Sequence, residues 1–284
     1  MIRAVRRAPF AWKTKQPKNH TERSKNVSYE SVIIDKKEKI GIISLNRPKQ
    51  FNTFSTQMAG ELNQALFDMD MDDDVRVVVV KGEGKAFSTG IDVNEYFDKT
   101  PLEYAKWISL MDAMHQTIAG MTKPVIAMVH GFAVANGAGL LAAADFAIIA
   151  EGTKIGTTAI NVGLLCTGPI IPLSYSLSKK KALEMLLSGD MISAEEALHF
   201  GLVNRVVPAD ILEEETFAFA EKIINKSPIA VELGKTFYYR MIDMPFRQRF
   251  DHSKEVFTRL CTTDDAREGI TAFIEKRIPR WTGK

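Results

Sequence analysis

At 284 residues, with 45% hydrophobic and 25% charged residues, the chain has an ordinary globular composition and the length to bury a sizeable core. Its two cysteines, Cys166 and Cys261, form no CxxC pair, which argues against a disulfide framework and for a reducing compartment; no apolar run approaches the ~18 residues of a membrane-spanning helix. The net charge of +2 conceals a basic leader, +7 over residues 1–26, and a remainder of −5, so a nucleic-acid role for the body has little support.

Two readings of that leader stand open. Arg3, Arg6 and Arg7 among Ile2, Val5, Phe10 and Trp12 suit an organellar transit peptide. Pro9 and Pro17 suit an irregular bacterial extension. The matching locations are the mitochondrial matrix and the cytoplasm.

After the leader, Val32–Ile34 and Ile40–Leu45 flank Asp35–Lys39, a hairpin pattern with a charged turn. Pro48 ends the second strand. Ser55 is an N-cap, and Met58, Leu62, Ala65, Leu66 and Met69 recur at helical spacing. Val77–Val80 suits a strand covered on both faces. It exits through Gly82-Glu83-Gly84-Lys85-Ala86-Phe87-Ser88-Thr89-Gly90-Ile91-Asp92, which fits neither GxGxxG nor GxSxG. Asp92 is read as a cap of the next short helix, with a catalytic role as the alternative.

A helix over Leu102–Ala119 leads to the strand Pro124–Val129 and then to Gly131-Phe132-Ala133-Val134-Ala135-Asn136-Gly137-Ala138-Gly139. This second small-residue exit opens a short helix and leaves backbone N–H groups unpaired. It is half of an oxyanion hole or a tight packing turn. Asp145–Ala150 is a further strand, and Thr157–Pro169 is irregular. Ser193-Ala194-Glu195-Glu196 is a capping box for a helix stopped by Gly201, and Leu202–Val207 is a last strand. Four amphipathic segments close the chain: Ala209–Asn225, Pro228–Ile242, Pro245–Leu260 and Asp265–Lys276. Alternation followed by helices predicts an α/β body with a helical C-terminal part. If the two glycine-rich exits lie on neighbouring strands, their amides converge on one carbonyl oxygen; one such donor is worth ~10²–10³ in rate.

Several motifs resemble the crotonase superfamily of enoyl-CoA hydratases and isomerases. They include Asn46-Arg47-Pro48 with Asn52, Ala86–Asp92, Lys123–Ala127, His130-Gly131, Leu140 to Asp145, Ile192–Ala197 and Phe273–Arg277. The resemblance spans about residues 30–280, and within the superfamily the chain is most similar to the enoyl-CoA hydratase domain-containing protein 3 group. It implies an α/β fold, a ββα-spiral core over 28–207, following a flexible leader 1–27, and a helical trimerisation region over 208–284. It also implies a coenzyme A thioester as ligand, no permanently bound cofactor, and a homotrimer or dimer of trimers. The oxyanion-hole amides it implies are those of Ser88 and Asn136, with Ser88, Thr89, Gly90, Ile91, Asn136 and Gly137 lining the thioester site.

The chain departs from the resemblance at the acid–base positions. The two glutamates of the family's hydratases fall on Gly139 and Ala159, and a further acidic position falls on Thr167. Proton transfer by a positioned group is worth ~10²–10⁴, so efficient hydration by the usual route is disfavoured. Cys166 is a nucleophile or base, or else a small buried apolar side chain. Asn161 is a water holder at most, His130 a loop tether, and His115 and His199 structural. No metal-ligand motif is present. Two functions stay open: an acyl-CoA enzyme needing little protein acid–base help, or a non-catalytic CoA-thioester binder.

Overall fold

The computed structural model describes residues 29–284, and the basic leader lies outside the described residues. Val32–Lys37 (β1) and Ile40–Leu45 (β2) form the antiparallel hairpin, with Lys37 opposite Ile40. β1 runs on through Asp35, Lys36 and Lys37, which the sequence placed in the turn. The strand is at the sheet edge, where charged side chains meet water, so pairing continues and the turn shrinks to Glu38 and Lys39.

Thr56–Met71 (α1) begins at Ser55, whose hydroxyl accepts from Met58 N, and buries Met58, Leu62, Ala65, Leu66 and Met69. Val77–Gly82 (β3) pairs in parallel with β2, and its four valines are wholly buried. Pro101–Gly120 (α2) starts in a Thr100/Glu103 capping box. Then come Val125–Val129 (β4), Phe132–Val134 (β5), Asn136–Ala143 (α3), Phe146–Ala150 (β6) and Lys154–Gly156 (β7). Ile170–Ser176 (α4), Lys179–Ser188 (α5), Met191–Ser193 (β8), Ala194–His199 (α6) and Arg205–Val207 (β9) follow. Leu212–Ile224 (α7), Pro228–Ile242 (α8), Phe246–Cys261 (α9) and Asp264–Glu275 (α10) complete the chain.

The main sheet has the order β1-β2-β3-β4-β6-β9 and is parallel beyond the hairpin. On one face Ile43, Val78, Val80 and Ala127 pack with α1, α2 and α3; on the other, Ile42, Val77, Val79, Ile126 and Ile148 pack with α7. Cover on both faces accounts for the valine run. A second sheet, β5-β7-β8, is built of three-residue strands. Because β3 and β4 are neighbours, both glycine-rich exits leave from the same end of the sheet.

Candidate functional site

The first exit is held by a buried tether. Asn52 accepts from Arg47 N (2.8 Å) and donates to the carbonyls of Glu83 and Ala86, both at 2.8 Å. Arg47 pairs with Asp92 at 2.7 Å, and Asp92 caps a 3₁₀ turn by accepting from Asn94 N at 3.1 Å, so the capping role is observed. Burial pushes the Asp92 carboxyl up, but Arg47 and Asn94 outweigh it and leave it below its ordinary range. His130 Nε2 lies 2.9 Å from Gly84 O, the loop-tethering contact expected of it.

Over residues 87–92 of this exit all the amides but one are occupied. Phe87 N donates to His130 O (3.0 Å), Ser88 N to Phe132 O (3.1 Å), Thr89 N to Phe51 O (3.2 Å) and Asp92 N to Phe54 O (2.8 Å). Gly90 N has a long contact of 3.4 Å to Ser88 Oγ. Ile91 N alone between residues 87 and 92 has no acceptor in the described chain. The expectation of Ser88 as a ligand donor is therefore corrected. Ser88 forms a parallel bridge with Ala133, its carbonyl accepts from Val134 N at 2.9 Å, and its hydroxyl donates to Asn52 O at 2.7 Å. Its role is to weld the two exits together, and the free amide lies three residues on.

The second exit turns at Ala135, a non-glycine residue at φ 49° whose N–H donates to Gly156 O at 2.8 Å. The amides of Asn136, Gly137 and Ala138 then open the first turn of α3, and Gly139 N is the first to close a helical bond, to Ala135 O at 2.9 Å. The exits touch: a β-carbon on Gly90 would stand 2.8 Å from Ala135 Cβ and 3.8 Å from Asn136 N. One on Gly137 would overlap the carbonyl of Ser88. Small residues at 90 and 137 let the two turns close on each other, leaving Ile91 N–H on one exit and the N–H groups of Asn136, Gly137 and Ala138 on the other without acceptors in the described chain.

Around this junction stand groups from a third element. On α2, Asp112 is about three-quarters buried and His115 nine-tenths, with His115 Nδ1 4.0 Å from Asp112 Oδ1. A β-carbon on Gly168 would overlap both Asp112 oxygens, and one on Gly139 would stand 2.7 Å from His115 Nε2. Burial raises the Asp112 carboxyl, opposed by the Asn136 side-chain amide beside it. Burial lowers His115 to about 4, so the ring is neutral at pH 7, and its Nε2 has no hydrogen-bond partner among the described residues. Sequence reading passed over Asp112 and gave His115 a structural role. The signal available was a pair of ionisable residues at i, i+3 flanking the apolar stripe Trp107, Met111, Met114 and Ile118.

Other expected groups fall outside this centre or fit the plainer reading. Cys166 is buried and its thiol is pushed up by that burial, as for an apolar filler. Asn161 is exposed and turned to Gly189, its Nδ2 3.5 Å from Gly189 O. His199 is exposed and meets the Phe200 ring edge-on. Among the described residues no cluster of metal-ligating side chains occurs, and no helix is long and apolar enough to cross a membrane.

A family model described as "Enoyl-CoA hydratase/isomerase" matches residues 35–284. Human "Enoyl-CoA hydratase domain-containing protein 3, mitochondrial" is 35% identical over 241 residues, covering 84% of this chain and 80% of that protein. The crystal structure of the human domain-containing protein 3 superposes with a TM-score of 0.86 at 34% identity, covering 89% of this chain and 100% of that one. An enoyl-CoA hydratase structure from Mycobacterium smegmatis gives 0.87 at 35% identity, covering 89% and 99%. The α/β core and C-terminal helices described above are common to these structures.

Proposed function

The chain belongs to the enoyl-CoA hydratase/isomerase family, and we propose that it binds an acyl-CoA thioester and polarises the thioester carbonyl with the main-chain N–H groups of Ile91 and Asn136. Family membership supports a CoA-thioester-related function. The observation that carries the site is that Ile91 N–H on one glycine-rich exit and the first amides of α3, beginning with Asn136 N–H, on the other lack acceptors where the two exits meet. Such donors are fixed by the fold and do not titrate, so they meet developing negative charge without reorganising. Thr89, Gly90 and Gly137 line the approach, and Ser88 joins it through its backbone.

A second reading, a CoA-thioester binder without turnover, is favoured by Gly139 and Ala159, which carry no proton-transfer group. Both readings require the amide pair. We also propose a homotrimer or dimer of trimers, supported by apolar side chains exposed on α9, α10 and the tail that follows.

Calorimetry with hexanoyl-CoA, and the infrared stretch of its thioester carbonyl in the complex, test the site. Binding is expected to lower the stretching frequency. Asn136→Pro, which removes one donor at a position where helices accept proline, is expected to reverse that shift and to abolish any turnover. Asn136→Ala keeps the amide and the shift. A bound thioester with an unshifted carbonyl in the wild type would overturn the assignment.

A further inference from the structure

We propose that the groove between α8 and the ends of α2, α3 and α4 is a second binding site, which takes a free medium-chain carboxylate apart from the thioester. A cavity of about 880 Å³ lies here, within the range that encloses most of a small ligand. Its walls are predominantly apolar: Ala142 and Ala143 at the end of α3, Ile171 and Pro172 on α4, Val231 and Ile242 on α8. Gly234, midway along that stretch of α8, borders open space, since a β-carbon there would meet nothing within 4 Å. None of the exposed apolar side chains of α9, α10 and the tail lines the cavity, so the surface proposed for subunit contact is a different one.

Charge is spread unevenly along this cavity. Lys222, in the last turn of α7, and Lys226, just past it, stand at the end where α8 begins. Neither is in an ion pair among the described residues. The acidic groups of the lining are already answered. Asp145 accepts from Lys235, Tyr239 and Val125 N, and Asp243, just beyond the far end of α8, accepts from the Tyr175 hydroxyl at 3.3 Å. From Ala230 to Ile242 the α8 lining runs for about 18 Å at 1.5 Å per residue. Unanswered positive charge at one end and an apolar trough along the rest complement a carboxylate with a hydrocarbon tail. Two ammonium groups with no guanidinium fork suit a single carboxylate better than a phosphate.

The cavity is walled off from the thioester site. His115 forms part of its inner end, and the same ring packs against the start of α3: a β-carbon on Gly139 would stand 2.7 Å from His115 Nε2 and 2.9 Å from Pro169 Cα. Atoms at that spacing leave no passage for a hydrocarbon chain. The amides of the thioester site open the first turn of α3, whereas the cavity is lined by the residues that end it. Thioester and carboxylate are therefore held at opposite ends of one short helix and bind together. The carboxylate enters and leaves unchanged, with no covalent step.

The test is calorimetric titration of decanoate into the full chain, alone and saturated with hexanoyl-CoA. A single decanoate per chain is expected to bind, with the same affinity in both titrations. Gly234→Leu projects a side chain into the cavity at an α8 position where leucine is also the better helix former, and is expected to abolish that binding while hexanoyl-CoA affinity stays the same. Lys222→Glu with Lys226→Glu changes only the surface and stands in should Gly234→Leu fail to fold. It is expected to weaken decanoate about tenfold, the worth of one charge-assisted hydrogen bond. Decanol, which lacks the charge, is expected to bind more weakly than decanoate. No saturable decanoate binding, as when a second copy of the chain covers the groove, would overturn the proposal. So would full affinity in Gly234→Leu, or displacement of decanoate by hexanoyl-CoA, which would make the cavity part of the thioester site. Decanoate binding to a protein that takes no hexanoyl-CoA would support this site and remove the thioester reading.

Discussion

A β-carbon on Gly139 would stand 2.7 Å from His115 Nε2 and 2.9 Å from Pro169 Cα. The glycine is therefore one side of a packed contact with an imidazole, and placing a glutamate there has a definite cost. Gly139→Glu must push His115 off α3 and seat a carboxylate beside a neutral ring, an overpacking of about 1–3 kcal/mol. The expected outcome is a lower urea midpoint and no gain of hydration. Gly139→Glu with His115→Ala, which opens the volume, recovers part of the stability. An unchanged midpoint in the single variant would show that the ring yields freely.

At the scale of elements, the first exit owes its shape to groups far apart in sequence: Arg47, Asn52 and Asp92. Asp92 lies below its ordinary pKa because Arg47 and Asn94 overcome its burial. A lowered carboxyl stabilises the fold fully above its unfolded pKa and loses that stabilisation as pH falls through the folded value. Melting temperature is thus expected to fall on acidification below the usual carboxylate range. Asp92→Asn is expected to be less stable at neutral pH and to show a shallower acid dependence. Parallel curves for the two proteins would remove Asp92 from the acid transition.

These elements also show what could be read in advance. The α1 stripe, the β3 valines and the Ser193 capping box are local patterns, and each forms where the residues call for it. The β5-β7-β8 sheet was not legible, because three residues are too short to show a period of two. The choice between Ser88 and Ile91 was hidden for another reason. Sequence shows that the exit carries free amides, but which one is left over depends on Phe51, Phe54 and Phe132, brought alongside by the fold. Asp112 was hidden likewise, since on α2 alone it reads as the solvated flank of an apolar stripe.

At the scale of the whole molecule, a buried ion pair fastens helix α8 to the body. Lys235 on α8 donates to Asp145 Oδ2 (2.7 Å) and Lys123 O (2.9 Å), and Tyr239 donates to Asp145 Oδ1 (2.9 Å). Asp145 also accepts from Val125 N at 2.7 Å, so the anchor sits at the start of β4. Beyond it, α9, α10 and the tail leave Phe246, Phe250, Phe257, Phe273, Ile274 and Ile278 between 58% and 87% exposed. Large apolar side chains gathered on a fixed set of helices are uncommon on a lone chain and ordinary at a subunit contact. Light scattering of the purified protein is expected to give three or six times the 31.7 kDa chain mass. Phe273→Glu with Ile274→Glu is expected to release monomers with an unchanged helical circular-dichroism signal, because the Lys235–Asp145–Tyr239 anchor lies away from these residues. A wild-type protein that runs as a monomer at micromolar concentration would remove the trimer and leave those six side chains without a partner.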